Sequence, residues 1–245
     1  MSDEAAVTLT HATMRVTMEV SIPQDGTEVA MASTTPTRFR DRDDAAHRLA
    51  DALVAYEGQD PLVLAIPRGA VTMARIIADR LGGDFDVVLV HKLSAPGQPE
   101  FAIGSVDEAG WTYLGPHAAA AGADEAYVEQ EKQRQLETIR ARRAQYTPLR
   151  PPIDPEGRIV LVVDDGLATG ATMIAALHGL RARRPGRLVC AVPVAPPDTV
   201  ARVRQYADEV VCLEAPRGFR AVGQYYEDFG QVSDDEVVAQ LRGAD

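Results

Sequence analysis

Residues 159–172 read Ile-Val-Leu-Val-Val-Asp-Asp-Gly-Leu-Ala-Thr-Gly-Ala-Thr, an apolar run that ends in two acids and passes into a loop of small residues. Ile159 to Val163 are β-branched apart from Leu161, the composition of a strand covered on both faces in a parallel sheet. Asp164 and Asp165 therefore fall at its carboxyl end, the edge at which open α/β sheets bind ligands. Gly166 to Thr172 are small apart from Leu167, so the backbone can turn tightly and bring its N–H groups close to a ligand. Met173, Ala176, Leu177 and Leu180 recur at helical spacing, with Arg181, Arg183 and Arg184 in the last turn and Pro185-Gly186 as the stop. The loop thus opens a helix whose unpaired N–H groups and dipole attract an anion, with the Thr169 and Thr172 hydroxyls as further donors. Two carboxylates beside an anion cradle are repulsive unless they face hydroxyls or a magnesium ion. A phosphorylated sugar carrying Mg²⁺ meets both requirements.

The same plan is found upstream. Leu62 to Ile66 is a second apolar strand, and Pro67-Arg68-Gly69-Ala70 leads from it into a helix carrying Met73, Ile76 and Ile77 and closed by Gly82-Gly83. A third strand, Phe85 to Val90, ends in His91-Lys92. Leu93 to Phe101, with Ser94, Pro96, Gly97 and Pro99, is expected to be a mobile loop. Lys92 and Lys132 are the only lysines in the chain, so a lysine kept at a strand end points to a role. Asp43 to Tyr56, with Ala46, Leu49, Ala50 and Leu53 on one face, forms a further helix. The alternation predicts an α/β fold: a twisted parallel sheet with helices on both faces. No GxGxxG follows the first strand, which argues against a dinucleotide-binding enzyme.

Val160 to Thr172 resembles the signature of the type I phosphoribosyltransferases: four apolar residues, two acids, and a small-residue loop ending in Thr-Gly-x-Thr. Gly166 stands where the family usually has an aliphatic or Ser residue, a change expected to loosen the loop without removing a ligand group. The resemblance implies that the Mg²⁺ complex of phosphoribosyl pyrophosphate (PRPP) is attacked at its anomeric carbon by a nitrogenous acceptor, a nucleobase, with pyrophosphate leaving. Asp164 and Asp165 would hold the ribose, Asp164 also meeting the metal, mainly through substrate and water. Gly166, Leu167, Ala168, Thr169, Gly170, Ala171 and Thr172 would cradle phosphate, and Arg68-Gly69 looks like the pyrophosphate loop. His91-Lys92 resembles the basic-Lys pair of the adenine and orotate branches, with His replacing the usual Arg and Lys92 acting on the leaving group. Glu100 is the nearest match to the adenine branch's loop acid, so the implied catalytic set is Lys92, Glu100, Asp164 and Asp165. The Asp that 6-oxopurine enzymes place in the phosphate loop matches Ala168 here, which speaks against their mechanism.

In this family the acceptor lies under a hood, matched here by residues 214–230. Val222-Gly223 and Glu227-Asp228 loosely resemble the purine-enzyme hood, and Phe219, Tyr225 or Tyr226 would stack on the base. The whole arrangement most resembles the widespread predicted phosphoribosyltransferases of bacteria and archaea, from about Phe39 to Val237. Residues 37–245 are accordingly read as the transferase domain and 1–36 as an extension. There Met14, Val16, Met18, Val20 and Ile22 alternate as in one strand of a hairpin, unless translation starts at Met31 and the extension is dispensable. A PRPP-binding regulator without turnover would keep both phosphate loops. It usually carries a basic surface or a DNA-binding domain, and neither is evident.

Composition fits this reading. A chain of 245 residues with 46% hydrophobic content can bury one α/β core plus additions. No apolar stretch is long enough to span a bilayer, and the N-terminus lacks a secretory signal's basic start and apolar centre. Two cysteines without a CxxC argue against a disulfide scaffold or zinc knuckle, and Cys190 and Cys212 sit in apolar runs as packed thiols. A net charge of −11 disfavours nucleic acid phosphates as partners. The expectation is a cytoplasmic homodimer of nucleotide salvage whose partners are PRPP and an acceptor, with no nucleic acid and no membrane. A charged helix from Asp124 to Tyr146, with Glu131/Arg134 and Glu137/Arg140 at i, i+3, is read as solvated or at the dimer edge.

Overall fold

The computed structural model describes residues 38–146 and 152–242, so the expected hairpin or alternative start within residues 1–36 lies outside the described residues. The chain begins with helix α1 (Arg42–Ala52), whose N-cap Asp41 accepts from the Asp44 N–H at 2.8 Å. Strand β1 (Leu62–Ala65), helix α2 (Val71–Leu81) and strand β2 (Asp84–Val87) follow, with Gly82 ending α2 in the left-handed region at φ 68°. Strands β3 (Val90–Ala95), β4 (Gln98–Asp107) and β5 (Thr112–Leu114) come next, then the long helix α3 (Glu125–Tyr146). Strand β6 (Ile159–Val163), helix α4 (Ala171–Ala182), strand β7 (Arg187–Val194), helix α5 (Pro197–Val203), strand β8 (Glu209–Glu214) and helix α6 (Asp234–Arg242) complete it.

Five strands form a parallel sheet in the order β2-β1-β6-β7-β8. The chain runs outward in one direction from β1 to β2, then restarts at β6 on the other side of β1 and runs outward the opposite way. The β1–β6 pair is therefore the point where strand order reverses, and a ligand crevice opens there at the carboxyl edge. Their register, Leu62↔Val160 through Ala65↔Val163, brings both strands to the edge together, so the loops after Ala65 and Val163 emerge side by side.

The unbroken apolar runs follow from double coverage. Val63, Ala65, Leu161, Val163, Val189 and Ala191 point into a core shared with α1 and α2, whereas Leu62, Leu64, Val160, Val162, Leu188 and Cys190 point into a second core under α4. Cys190 is buried and Cys212 partly so, both as free thiols, and burial pushes the Cys212 thiol up to about 11. None of the described helices is long and apolar enough to cross a membrane.

Three expectations need correcting. The third strand is interrupted at Val88–Leu89, so His91-Lys92 belongs to β3 in a separate antiparallel sheet of order β3-β4-β5, not to the end of a parallel strand. Leu93 to Phe101 is no irregular loop but part of the β3–β4 hairpin. Gly97, at φ 68°, makes the turn, and Pro99 lies in the part of β4 that has a strand neighbour on one side only. Leu93 and Ala95 are buried beneath α3. That helix is not wholly solvated either: Glu131 is 4% exposed and accepts from the Ser94 N–H at 3.3 Å as well as pairing with Arg134 at 2.7 Å.

Candidate active site

At the end of β6 the backbone turns through Asp164, Asp165 and Gly166. The Asp165 N–H donates to Asp164 Oδ1 at 2.9 Å, and the Leu167 N–H to the Val194 carbonyl at 2.9 Å. Gly166 has φ 155°, and a Cβ there would stand 2.6 Å from Val222 Cγ1. Only glycine suits the position, so it is a requirement of this chain's packing and not a source of looseness. Helix α5 supports the outer side of the loop: Thr199 Oγ1 donates to the Ala168 carbonyl at 2.7 Å. Gly170, at φ 74°, is the N-cap of α4 and has no side chain to cap it, leaving first-turn N–H groups for whatever enters the crevice.

The opposite wall is the loop after β1. Its Pro67–Arg68 peptide is cis, and a Cβ on Gly69 would collide with the Asp165 carboxylate. Arg68 extends toward Asp234 at the start of α6, a half-exposed pair at 3.6 Å that solvent screens. Lys92 reaches in from β3. Together these groups line a cavity of about 630 Å³ with Arg42, Ile66, residues 164–173, Val222 and residues 229–232.

The carboxylates carry an electrostatic cost. Burial pushes Asp164 well above the ordinary aspartate range, the Asp165 charge adds to this, and Lys92 and Arg42 offset only part. Asp165 is likewise raised by burial, with the Arg42 charge and hydrogen bond pulling it back. Arg42 Nε and Nη2 approach Asp165 Oδ2 at 2.9 and 2.8 Å, while Nη1 donates to the Gly230 carbonyl at 2.6 Å. Its guanidinium carbon also lies 3.9 Å from the centre of the Phe229 ring. Backbone pairing delivers Arg42 to this place: Phe39 N–H to the Tyr225 carbonyl, Glu227 N–H to Phe39 and Asp228 N–H to Arg40, each 2.8 Å. The Tyr226 hydroxyl closes the set by donating to the Asp165 carbonyl at 2.6 Å.

The sequence profile of the phosphoribosyl transferase domain matches residues 35–229. The chain belongs to that family. Among relatives of this chain, a Mycobacterium tuberculosis protein of strain H37Rv, named "Putative phosphoribosyl transferase Rv0571c", is 44% identical over 204 residues. Its counterpart in strain CDC 1551 / Oshkosh has the same identity. The match covers 83% of this chain but 46% of those proteins, so the chain spans about half the length of the curated relatives it matches. The crystal structure of TT1426 from Thermus thermophilus is 49% identical, covers 84% of this chain and 98% of its own, and superposes with a TM-score of 0.71.

In this member of the family Arg68, Gly69, Lys92 and residues 164–172 all line one cavity. Glu100 contributes backbone to β4, and its side chain lies outside the described part of the structure. The aromatic expectations change. Tyr225 and Tyr226 are 2% and 4% exposed, packed in the core, and Phe219 stacks on Tyr225 at 5.6 Å; none of the three lines the cavity. Phe229 does. The two residues not foreseen, Arg42 and Phe229, meet each other there. One local signal marks Arg42: it stands in the first turn of α1 with Asp43 and Asp44, and a cation at that end opposes the helix dipole, so its place needs a tertiary partner.

Proposed function

We propose that the protein transfers a phosphoribosyl group from Mg²⁺-bound PRPP to a nitrogenous acceptor, a nucleobase, and releases pyrophosphate. One observation carries this reading: an acidic loop that opens a helix and a Pro-Arg-Gly loop lie side by side where strand order reverses, on one cavity that Lys92 also enters. That adjacency supports a reading in which the loop N–H groups bind the phosphates and the two carboxylates the ribose of one sugar phosphate.

The residues divide the work as follows. Loop N–H groups and the Thr169 and Thr172 hydroxyls hold the sugar's phosphate. Asp164 and Asp165 accept from ribose hydroxyls, and their charge favours the cationic sugar that develops as the anomeric C–O bond breaks and the C–N bond forms. Arg68, the Gly69 N–H and Lys92 take up the charge that accumulates on departing pyrophosphate. Phe229, held by Arg42, supplies an apolar face for the acceptor beside Val222.

Among the described residues no group of three or more His, Cys, Asp or Glu side chains is arranged to hold a metal. The donor chemistry fits a hard cation such as Mg²⁺, since a carboxyl raised by burial and by Asp165 gains from a nearby positive charge. Asp164 would hold it, mainly through substrate and water, and the ion would supply positive charge against that of the departing pyrophosphate. The test is incubation with Mg²⁺, PRPP and a panel of nucleobases, following pyrophosphate release and nucleotide mass. Release with one base is expected. PRPP binding without release from any base would instead support a PRPP-binding regulator.

A further inference from the structure

Beside the main cavity is a smaller one of about 300 Å³. The two share Pro67, Arg68, Lys92 and Thr172, and the smaller adds Val90, His91 and Arg142. Its wall thus offers three cationic side chains, a hydroxyl and an imidazole, without a single carboxylate. In a chain of net charge −11 such a wall is not what average composition supplies. Asp234 pairs with one of these cations, Arg68, at 3.6 Å, whereas Glu131 is taken up by Ser94, Arg134 and Gln135.

Arg142 is the unusual member. On the same helix Arg134 pairs with Glu131 and Arg143 with Glu108, the latter at 2.6 Å. Arg142 instead sets Nη1 2.9 Å from His91 Nε2. Arginine has no acceptor, so the ring nitrogen accepts and the imidazole is neutral. Burial, then the Arg142 charge, lowers the His91 pKa, with Gln135 and Glu131 opposing and Lys92 adding to the fall. Among the described residues Arg142 makes no ion pair, so this partly buried guanidinium, held by a neutral group, retains charge and donors for an anion.

We propose that this chamber is a second anion site, binding one phosphate group through Arg142, Lys92, Arg68 and Thr172. The phosphate is either free orthophosphate or the terminal phosphate of a linear triphosphate whose remaining phosphates lie in the main cavity. Arg142 contacts it and His91 is a positioning residue for Arg142. The second source rests on the main cavity being a phosphate site, whereas the first does not.

Isothermal titration of the full chain separates these. Tripolyphosphate is expected to bind about tenfold or more tighter than pyrophosphate if the chain of phosphates is continuous. If the ion is free, orthophosphate binds to protein already saturated with pyrophosphate. In either case Arg142→Gln removes the increment and leaves pyrophosphate affinity within about twofold, whereas Arg142→Lys keeps part of it. The two variants are compared at matched thermal stability, and Arg142→Lys alone decides if Arg142→Gln does not fold. No increment in the wild-type protein, or an increment untouched by these substitutions, overturns the proposal. Loss of pyrophosphate binding together with the increment also overturns it, because Arg142 would then serve the main cavity. Orthophosphate binding that depends on Arg142, without any pyrophosphate binding, sustains this site while removing the phosphate reading of the main one.

Discussion

Arg42 directs two nitrogens, Nε at 2.9 Å and Nη2 at 2.8 Å, to the same oxygen of Asp165, a residue 123 positions away. The contact ties the start of α1 to the acidic loop, and through Gly230 and Phe229 it also ties in the chain that covers the cavity. Arg42→Gln is therefore expected to act on catalysis more than on folding. Without the guanidinium, the Asp165 carboxyl rises further above its ordinary range. Activity needs the ionised form and is lost as pH falls through the folded-state value, so the acidic limb of kcat/KM moves to higher pH in the variant. Above both limbs a loss of about tenfold or more remains, from the missing charge-assisted bonds. A pH–rate profile superposing on that of the wild type would separate Arg42 from the chemistry.

Asp164→Asn sets activity against stability. The Asp164 carboxyl is raised by burial from the ordinary aspartate value of 3.8, so the folded state binds the proton more tightly than the unfolded chain. Stability is then lost progressively as pH rises from 3.8 toward the folded value. The amide removes that loss. Its Tm at neutral pH should exceed the wild type's by a few degrees, at about 2–4 °C per kcal/mol for a chain of this size, while turnover disappears. Below the ordinary aspartate value the two melting curves should converge. An amide variant less stable at neutral pH would mean that the carboxylate is well compensated in the fold.

Gly166→Ala meets both a positive φ and the Val222 methyl at 2.6 Å. A destabilisation of about 1–3 kcal/mol is expected from the overpacking and the backbone conformation. Val222→Ala in the same chain should return the Val222 share of the packing cost and leave the backbone part and the Val194 contact at 3.0 Å, which thermal melts of the single and double variants separate. A neutral Gly166→Ala would show that the loop yields.

Lys92→Ala should lower kcat by about 10²-fold with a smaller change in PRPP affinity, if the ammonium meets charge that appears only as pyrophosphate departs. An equal loss in affinity would make it a ground-state binding group, and unchanged kinetics would leave it a solvated strand residue.

What sequence could tell about this molecule divides along physical lines. Strands β1 and β6 and their loops were legible because burial on both faces forces an unbroken apolar run, and because glycine is required wherever the backbone approaches a ligand or another wall. The β3–β4 hairpin was not, since Pro96, Gly97 and Pro99 punctuate a loop and a tight hairpin in the same letters; the packing of Leu93, Ala95 and Glu131 under α3 decides between them. Aromatic choice was equally hidden. Phe219, Tyr225, Tyr226 and Phe229 are equivalent candidates by type, and it is the pairing of Phe39 with Tyr226 that turns the tyrosines inward and leaves Phe229 at the cavity. Arg42 depends on the same pairing, which no local pattern encodes.

The central claim is that Asp164 and Asp165 receive the ribose of PRPP between two phosphate loops. Calorimetric titration of the wild-type protein and of the double variant Asp164→Asn, Asp165→Asn with PRPP in the presence of Mg²⁺ tests it most directly. One PRPP bound per chain by the wild type is expected, together with a loss of about 10²-fold or more in a double variant that melts as a folded protein. Equal PRPP affinity in the two proteins would contradict the account.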